Sequence, residues 1–159
     1  MQHDEFTRAA ERYTGLIYRV AFGYLRSVQD AEDVSQNVLI KLCRRAGGFD
    51  SEDHLKYWLV RVTVNECKKA LKSPRCREAP LDELAQTAVF DGPRQGELFG
   101  TVMAMERKYR AVLLLYYYAD YSTAEIARIL SVPAATVRTR LARAREQLKH
   151  ILTEQEELI

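Results

Sequence analysis

Apolar residues recur at steps of three and four along both ends of this chain, and the pattern stops between Ser73 and Gly100, where Pro74, Pro80, Gly92, Pro93, Gly96 and Gly100 accumulate. A helix needs an unbroken apolar stripe to bury, and clustered Pro and Gly deny it one. The expected fold is therefore all-α: two small helical domains, residues 1–72 and 97–159, joined by a flexible linker, 73–96, with room for a short helical turn at 81–86. At 47% hydrophobic and 29% charged residues, the composition is that of a globular chain.

In the first domain, Phe6, Ala9, Ala10, Tyr13, Leu16, Ile17, Val20, Ala21, Tyr24 and Leu25 predict one long helix over 5–26. Ser27 or Asp30 restarts the chain, and Asp30, Glu32 and Asp33 suit the start of a second helix over 31–45, which Gly47 and Gly48 end. Ser51 caps a third, with Glu52 and Asp53 in its first turn, running to Lys72. The β-branched cluster Val60, Val62, Thr63 and Val64 favours a strand, but Leu55, Trp58, Leu59 and Val62 have helical spacing, which also puts Trp58 in the core. Helices resume at 97–105, 107–118, 123–130 and 134–152, before an acidic tail. Tyr116, Tyr117 and Tyr118 close the second of these and are expected to pack in the core and at its rim.

Residues 121–148 have the form of a helix-turn-helix. Ser122 and Glu125 have capping-box spacing, and Ala124, Ile126, Ala127, Ile129 and Leu130 supply a buried side. Pro133 lacks an N–H and disfavours helix at Val132, yet fits the start of a new helix, so the turn is tight. In the second helix Val137, Leu141, Ala144 and Leu148 form one stripe, leaving Arg138, Thr139, Ala142, Arg143 and Arg145 off it. Such a helix fits the major groove, where Arg bonds guanine edges and any cation neutralises phosphate. Net charge is only +2, so the case rests on distribution: residues 134–151 hold five Arg or Lys against one acid, and residues 73–100 three Arg against five acids.

Other chemistry finds little support. Cys43, Cys67 and Cys76 form no C-x-x-C pair, and His3, His54 and His150 lie at no zinc spacing from them, so no metal or cofactor is expected and the thiols fit a reduced, cytoplasmic setting. Adjacent Glu32 and Asp33 point in different directions and no base neighbours a thiol, so no catalytic residue is assigned and no enzyme is expected. The apolar run 111–119 falls short of the roughly 18 residues of a membrane span, so no membrane insertion is expected.

Two separated blocks resemble one family. DAEDVSQNVLIKL (30–42) with YWLVRVTVNECKKAL (57–71) is similar to the minus-10 domain of bacterial RNA polymerase sigma factors of the extracytoplasmic-function (ECF) group. The segment RKYRAVLLLYYYADYSTAEIARILSVPAATVRTRLARAREQLK (107–149) resembles their minus-35 domain. The resemblance implies a protein without enzymatic activity that binds core RNA polymerase, recognises promoter DNA at both elements and promotes initiation. For many members an anti-sigma factor is an inhibitory partner. A stand-alone dimeric helix-turn-helix regulator is the alternative.

Residue by residue, Ala31, Val34, Val38 and Leu42 make a packing stripe on the second helix, leaving Asp33, Gln36, Asn37 and Ile40 together elsewhere, an apolar side chain among polar ones as a partner surface needs. The resemblance gives Asp33, Gln36 and Asn37 to a coiled coil of the polymerase's largest subunit, with Asn37 standing where an acid is usual. It places Asn65 near a pocket for a flipped minus-10 base. Arg61, Lys68, Lys69 and Lys72 can hold the melted strand's backbone, and Tyr57 can offer a stacking face. In the minus-35 domain it assigns Arg138, Thr139, Ala142 and Arg143 to the groove, with Arg140, Arg145 and Lys149 better placed for phosphate or surface work. The linker acids Glu78, Asp82, Glu83, Asp91 and Glu97 resemble the connector that family members thread through the polymerase's RNA channel; a solvated tether is the plainer reading.

Overall fold

The computed structural model describes residues 1–73 and 93–157, with side chains omitted at 93–97 and 155–157. The chain divides into two compact units, Met1–Glu78 and Ala79–Ile159. Among the described residues there are seven α-helices and no strand: α1 (His3–Leu25), α2 (Val28–Arg44), α3 (Glu52–Leu71), α4 (Pro93–Met103), α5 (Arg107–Leu113), α6 (Thr123–Leu130) and α7 (Ala134–Glu157). The expected turn at 81–86, Cys76 and the acids Glu78, Asp82, Glu83 and Asp91 lie outside the described residues, as does the side chain of Glu97.

In the first unit α1, α2 and α3 pack pairwise around Ala21, Phe22 and Leu25 of α1, Ala31, Val38 and Leu42 of α2, and Leu59, Val60, Val64 and Cys67 of α3, all fully buried. Ser27, one of the two residues expected to restart the chain, caps α2 by accepting from the Asp30 N–H at 3.2 Å, and Ser51 caps α3 by accepting from that of His54 at 3.1 Å. The β-branched cluster is helical, and the hydroxyl of buried Thr63 donates back to the Leu59 carbonyl at 2.6 Å, so its polar atom is satisfied inside the core. Trp58 departs from expectation: it sits half-buried at the rim, its ring 5.6 Å from that of Phe49 with the Arg45 guanidinium 5.1 Å away. Loop residues, outside any helical period, supply both neighbours.

In the second unit α5, α6 and α7 enclose Val112, Leu115, Ile126, Ile129, Val137, Leu141 and Ala144. Arg110 is buried with them and donates to the Met105 carbonyl at 2.8 Å, tying α5 to the turn before it. The helix expected over 107–118 is α-helical only to Leu113. Leu114–Tyr118 forms a wider π turn, closed by bonds from the Ala119 N–H to the Leu114 carbonyl and from the Tyr121 N–H to the Leu115 carbonyl, each 3.0 Å. With Tyr109 to Leu115 buried without interruption, the helix has no polar side from which its register is readable. Other boundaries in this unit also differ: α4 begins at Pro93, four residues ahead of the expected Glu97, and ends at Met103 rather than 105, while α7 runs past Leu152 to Glu157.

The helix-turn-helix has its capping box: Ser122 Oγ accepts from the Glu125 N–H at 3.2 Å, and Glu125 Oε1 accepts from the Ser122 N–H at 3.1 Å. Ala124 is exposed, because the buried stripe of α6 is Ile126, Ala127, Ile129 and Leu130, on the opposite side. At the far end Ser131 adopts a left-handed conformation (φ 58°), and the Val132 N–H reaches back to the Ala127 carbonyl at 3.0 Å. A side chain there is strained. Ser131→Gly should therefore stabilise this unit by about 0.5–1 kcal/mol, seen as slower amide exchange across α6 and the start of α7; unchanged or faster exchange refutes it.

Candidate nucleic-acid interface

Burial divides α7 lengthwise. Val137, Leu141 and Ala144 are sealed inside, while Arg138, Thr139, Ala142 and Arg143 are exposed and Arg140 is half-buried. Arg145 is exposed too, but it is engaged within the unit: its Nε donates to Tyr117 Oη at 2.6 Å, and its guanidinium lies 5.1 and 5.5 Å from the ring centres of Tyr116 and Tyr117. The structure thus gathers Arg138, Thr139, Ala142 and Arg143 on one accessible surface and holds Arg145 on a tyrosine pair at its edge.

On α7's other flank a groove of about 380 Å³ brings Lys108 and Tyr109 of α5 beside Thr136, Thr139, Arg140 and Arg143. Lys108 escaped the sequence reading, since a residue on another helix shares no periodic relation with α7. A second groove, about 400 Å³, is apolar, lined by Leu98, Phe99, Val102, Tyr117 and Leu148 among others. It was also missed, because its walls come from separate helices.

On α3, Tyr57, Arg61, Asn65, Lys68 and Lys72 follow one another at steps of three and four, so they share a face. Arg61, Asn65 and Lys72 are exposed, and Tyr57 and Lys68 half-buried. The Arg61 guanidinium donates to Tyr57 Oη at 3.4 Å. Burial, with the charge of Arg61 added, lowers the Lys68 pKa. Lys69 differs. It lies 3.4 Å from Glu66 Oε1, a carboxylate that also binds Lys41 of α2.

Glu66 is 8% exposed and ties α2 to α3 beneath this basic face. Burial pushes its pKa up, but the hydrogen bond and charge of Lys41, with the charge of Lys69, outweigh that and hold the carboxyl below its ordinary value. On α2 itself, Ala31, Val34, Val38 and Leu42 are buried, while Asp33, Gln36, Asn37 and Ile40 are all exposed on one face, Ile40 at 46%. Among the described residues no cluster of three His, Cys, Asp or Glu could hold a metal, and no helix is long and apolar enough to cross a membrane.

Two helical units, the second a helix-turn-helix with an open basic face, fit a DNA-binding protein, and comparison with known proteins identifies the sigma-70 type. The Sigma-70 region 2 model matches residues 9–78 and the Sigma-70, region 4 model residues 97–148. The ECF RNA polymerase sigma factor SigW of Bacillus subtilis is 31% identical over 169 residues, spanning 92% of this chain and 88% of its own. SigM of Mycobacterium tuberculosis, another ECF sigma factor, is 31% identical over 92% of this chain and 76% of its own. A solved structure of the sigma factor RpoE in complex with the anti-sigma factor NepR from Bartonella quintana shares the fold, with a TM-score of 0.69 at 19% identity over 94% of this chain and 97% of that one. The chain belongs to the ECF family of RNA polymerase sigma factors.

Because the folded Glu66 carboxyl titrates below its unfolded value, its stabilisation is complete above the unfolded pKa and vanishes as pH falls through the folded one. Glu66→Gln should cost about 1–2 kcal/mol at pH 7 and progressively less below the usual carboxylate range. Urea unfolding followed by Trp58, the sole tryptophan, measures this in the first unit; a pH-independent difference removes the ion-pair account.

Proposed function

We propose that this chain is a promoter-specificity subunit that binds core RNA polymerase, recognises the minus-10 and minus-35 elements and promotes initiation. The observation that carries the reading is the presence of sigma-70 regions 2 and 4, in that order, in a chain that aligns with SigW over 92% of its length. Work is divided accordingly: residues 1–72 hold polymerase and the minus-10 element, 73–96 connect, and 97–159 hold the minus-35 element.

Asp33, Gln36, Asn37 and Ile40 form the polymerase surface, with Ile40 as the apolar anchor among polar contacts. Tyr57, Arg61, Asn65, Lys68 and Lys72 meet the melted minus-10 strand by stacking, edge contact and phosphate neutralisation. Lys69 shares Glu66 with Lys41, so its part there is secondary. Arg138, Thr139, Ala142 and Arg143 face the minus-35 groove, Arg140 borders it, and Arg145 acts mainly by fixing the tyrosine pair at the edge. The protein catalyses no reaction itself and works in the cytoplasm, where its polymerase is. An anti-sigma factor is a further partner, a reading supported by the complex of RpoE with NepR.

The stand-alone regulator needs two recognition helices related by a dimer axis, and each chain has one α7. Its first unit would have to be a dimerisation or sensing module, whereas that unit matches region 2. Transcription in vitro with core polymerase separates the two readings: promoter-dependent transcripts are expected, and their absence together with absent polymerase binding would falsify the sigma assignment.

Replacing Asp33 and Gln36 by Ala should weaken polymerase capture in a pull-down while circular dichroism stays unchanged, since both side chains are exposed; undiminished capture counts against this surface. Arg143→Ala should weaken minus-35 recognition by about 1–3 kcal/mol through loss of a bidentate base contact. An unaltered preference among minus-35 variants rules that contact out.

A further inference from the structure

The groove beside α7 unites two segments far apart in sequence. Lys108 and Tyr109, in the first turn of α5, face Ala135, Thr136, Thr139, Arg140 and Arg143 of α7. Three of these side chains are cations, three carry hydroxyls and none is acidic. Tyr109 is 6% exposed and forms a fixed wall, while small Ala135 leaves the floor open. A concavity with converging cations and hydroxyl donors fits a tetrahedral oxyanion, and the phosphodiester backbone presents one at every nucleotide. When a helix lies in the major groove, the two backbones run along its flanks, so a cationic groove on one flank meets one strand.

We propose that Lys108, acting with Arg140 and Thr136, clamps a backbone phosphate of the strand bordering the minus-35 major groove, adding affinity while Arg143 and Thr139 meet base edges. This rests on α7 being the DNA-reading helix. The Lys108 ammonium is available: its side chain is 47% exposed, and its ion pair with Glu106, at 3.7 Å, joins two exposed groups and is readily exchanged for phosphate. Glu106 makes no side-chain capping bond to α5, and the Lys108 ammonium lies 5.1 Å from the centre of the Tyr109 ring, on the wall of the same groove. A phosphate contact positions the protein and carries no sequence information, whereas a base contact does, and salt dependence tells them apart.

The test uses the full chain bound to core polymerase and a promoter duplex carrying both elements. Lys108→Gln should lower affinity several-fold and make the dependence of log affinity on log salt shallower by about 1, leaving the ranking of minus-35 base variants as in the parent protein. Lys108→Arg should restore both affinity and slope. Glu106→Gln, which removes the competing carboxylate, should bind more tightly than the parent. An unchanged salt slope for Lys108→Gln, with the parent protein still promoter-selective, overturns the clamp alone. A changed base ranking overturns the backbone assignment, and a parent protein without promoter preference overturns the clamp together with the reading beneath it.

Discussion

The burial of one stripe of α7 is the constraint on which the second unit depends. Val137, Leu141 and Ala144 are sealed against α5 and α6, which fixes the rotation of α7 about its own axis and so determines which side chains remain outside. Arg138, Thr139, Ala142 and Arg143 are exposed because they lie off the stripe that Val137, Leu141 and Ala144 bury. The capping box at Ser122 and Glu125 and the left-handed Ser131 set where α6 starts and stops, hence where α7 can begin. A basic face on a helix becomes a site only when the opposite face is immobilised.

The first unit applies the same rule to two helices. On α2, burial of Ala31, Val34, Val38 and Leu42 turns Asp33, Gln36, Asn37 and Ile40 outward; on α3, burial of Leu59, Val60, Val64 and Cys67 turns out Arg61, Asn65 and Lys72. Glu66 links the two faces. Its carboxylate is buried, and Lys41 and Lys69 offset the cost of removing it from water. The proposed polymerase surface and the proposed minus-10 surface are thereby held on helices that cannot shift independently without parting Glu66 from Lys41.

Much of this was legible beforehand because helical periodicity is local. The stripes of α2 and α7, the Ser122 capping box and the exposed positions between them follow from spacing within single segments. What escaped depends on contacts between segments. Trp58 has core spacing, yet sits at a rim built by loop residues Phe49 and Arg45. Arg145 has the spacing of a free cation, yet a tyrosine pair 28 positions away takes it up. Ala124 was misplaced for another reason: in a helix of eight residues one alanine does little to define a face. The π turn at Leu114–Tyr118 follows a run buried all round, where no polar side marks the register. Lys108 joins the α7 groove only through packing.

Charge distribution binds the proposed function together. With a net charge of +2 the chain has little general attraction for DNA, and one exposed face each of α3 and α7 carries a local group of cations. If α7 reads the minus-35 element as proposed, it offers a few base contacts worth about 1–3 kcal/mol each, too little to find one promoter among many competing sites. Two modest DNA surfaces in one chain gain from each other, because once polymerase holds the first unit, engagement of either element raises the effective concentration of the other unit at its own. Stronger surfaces would act without polymerase and lose dependence on it. On this account the weakness of each surface is what makes promoter selection a property of the assembled machine rather than of the free chain.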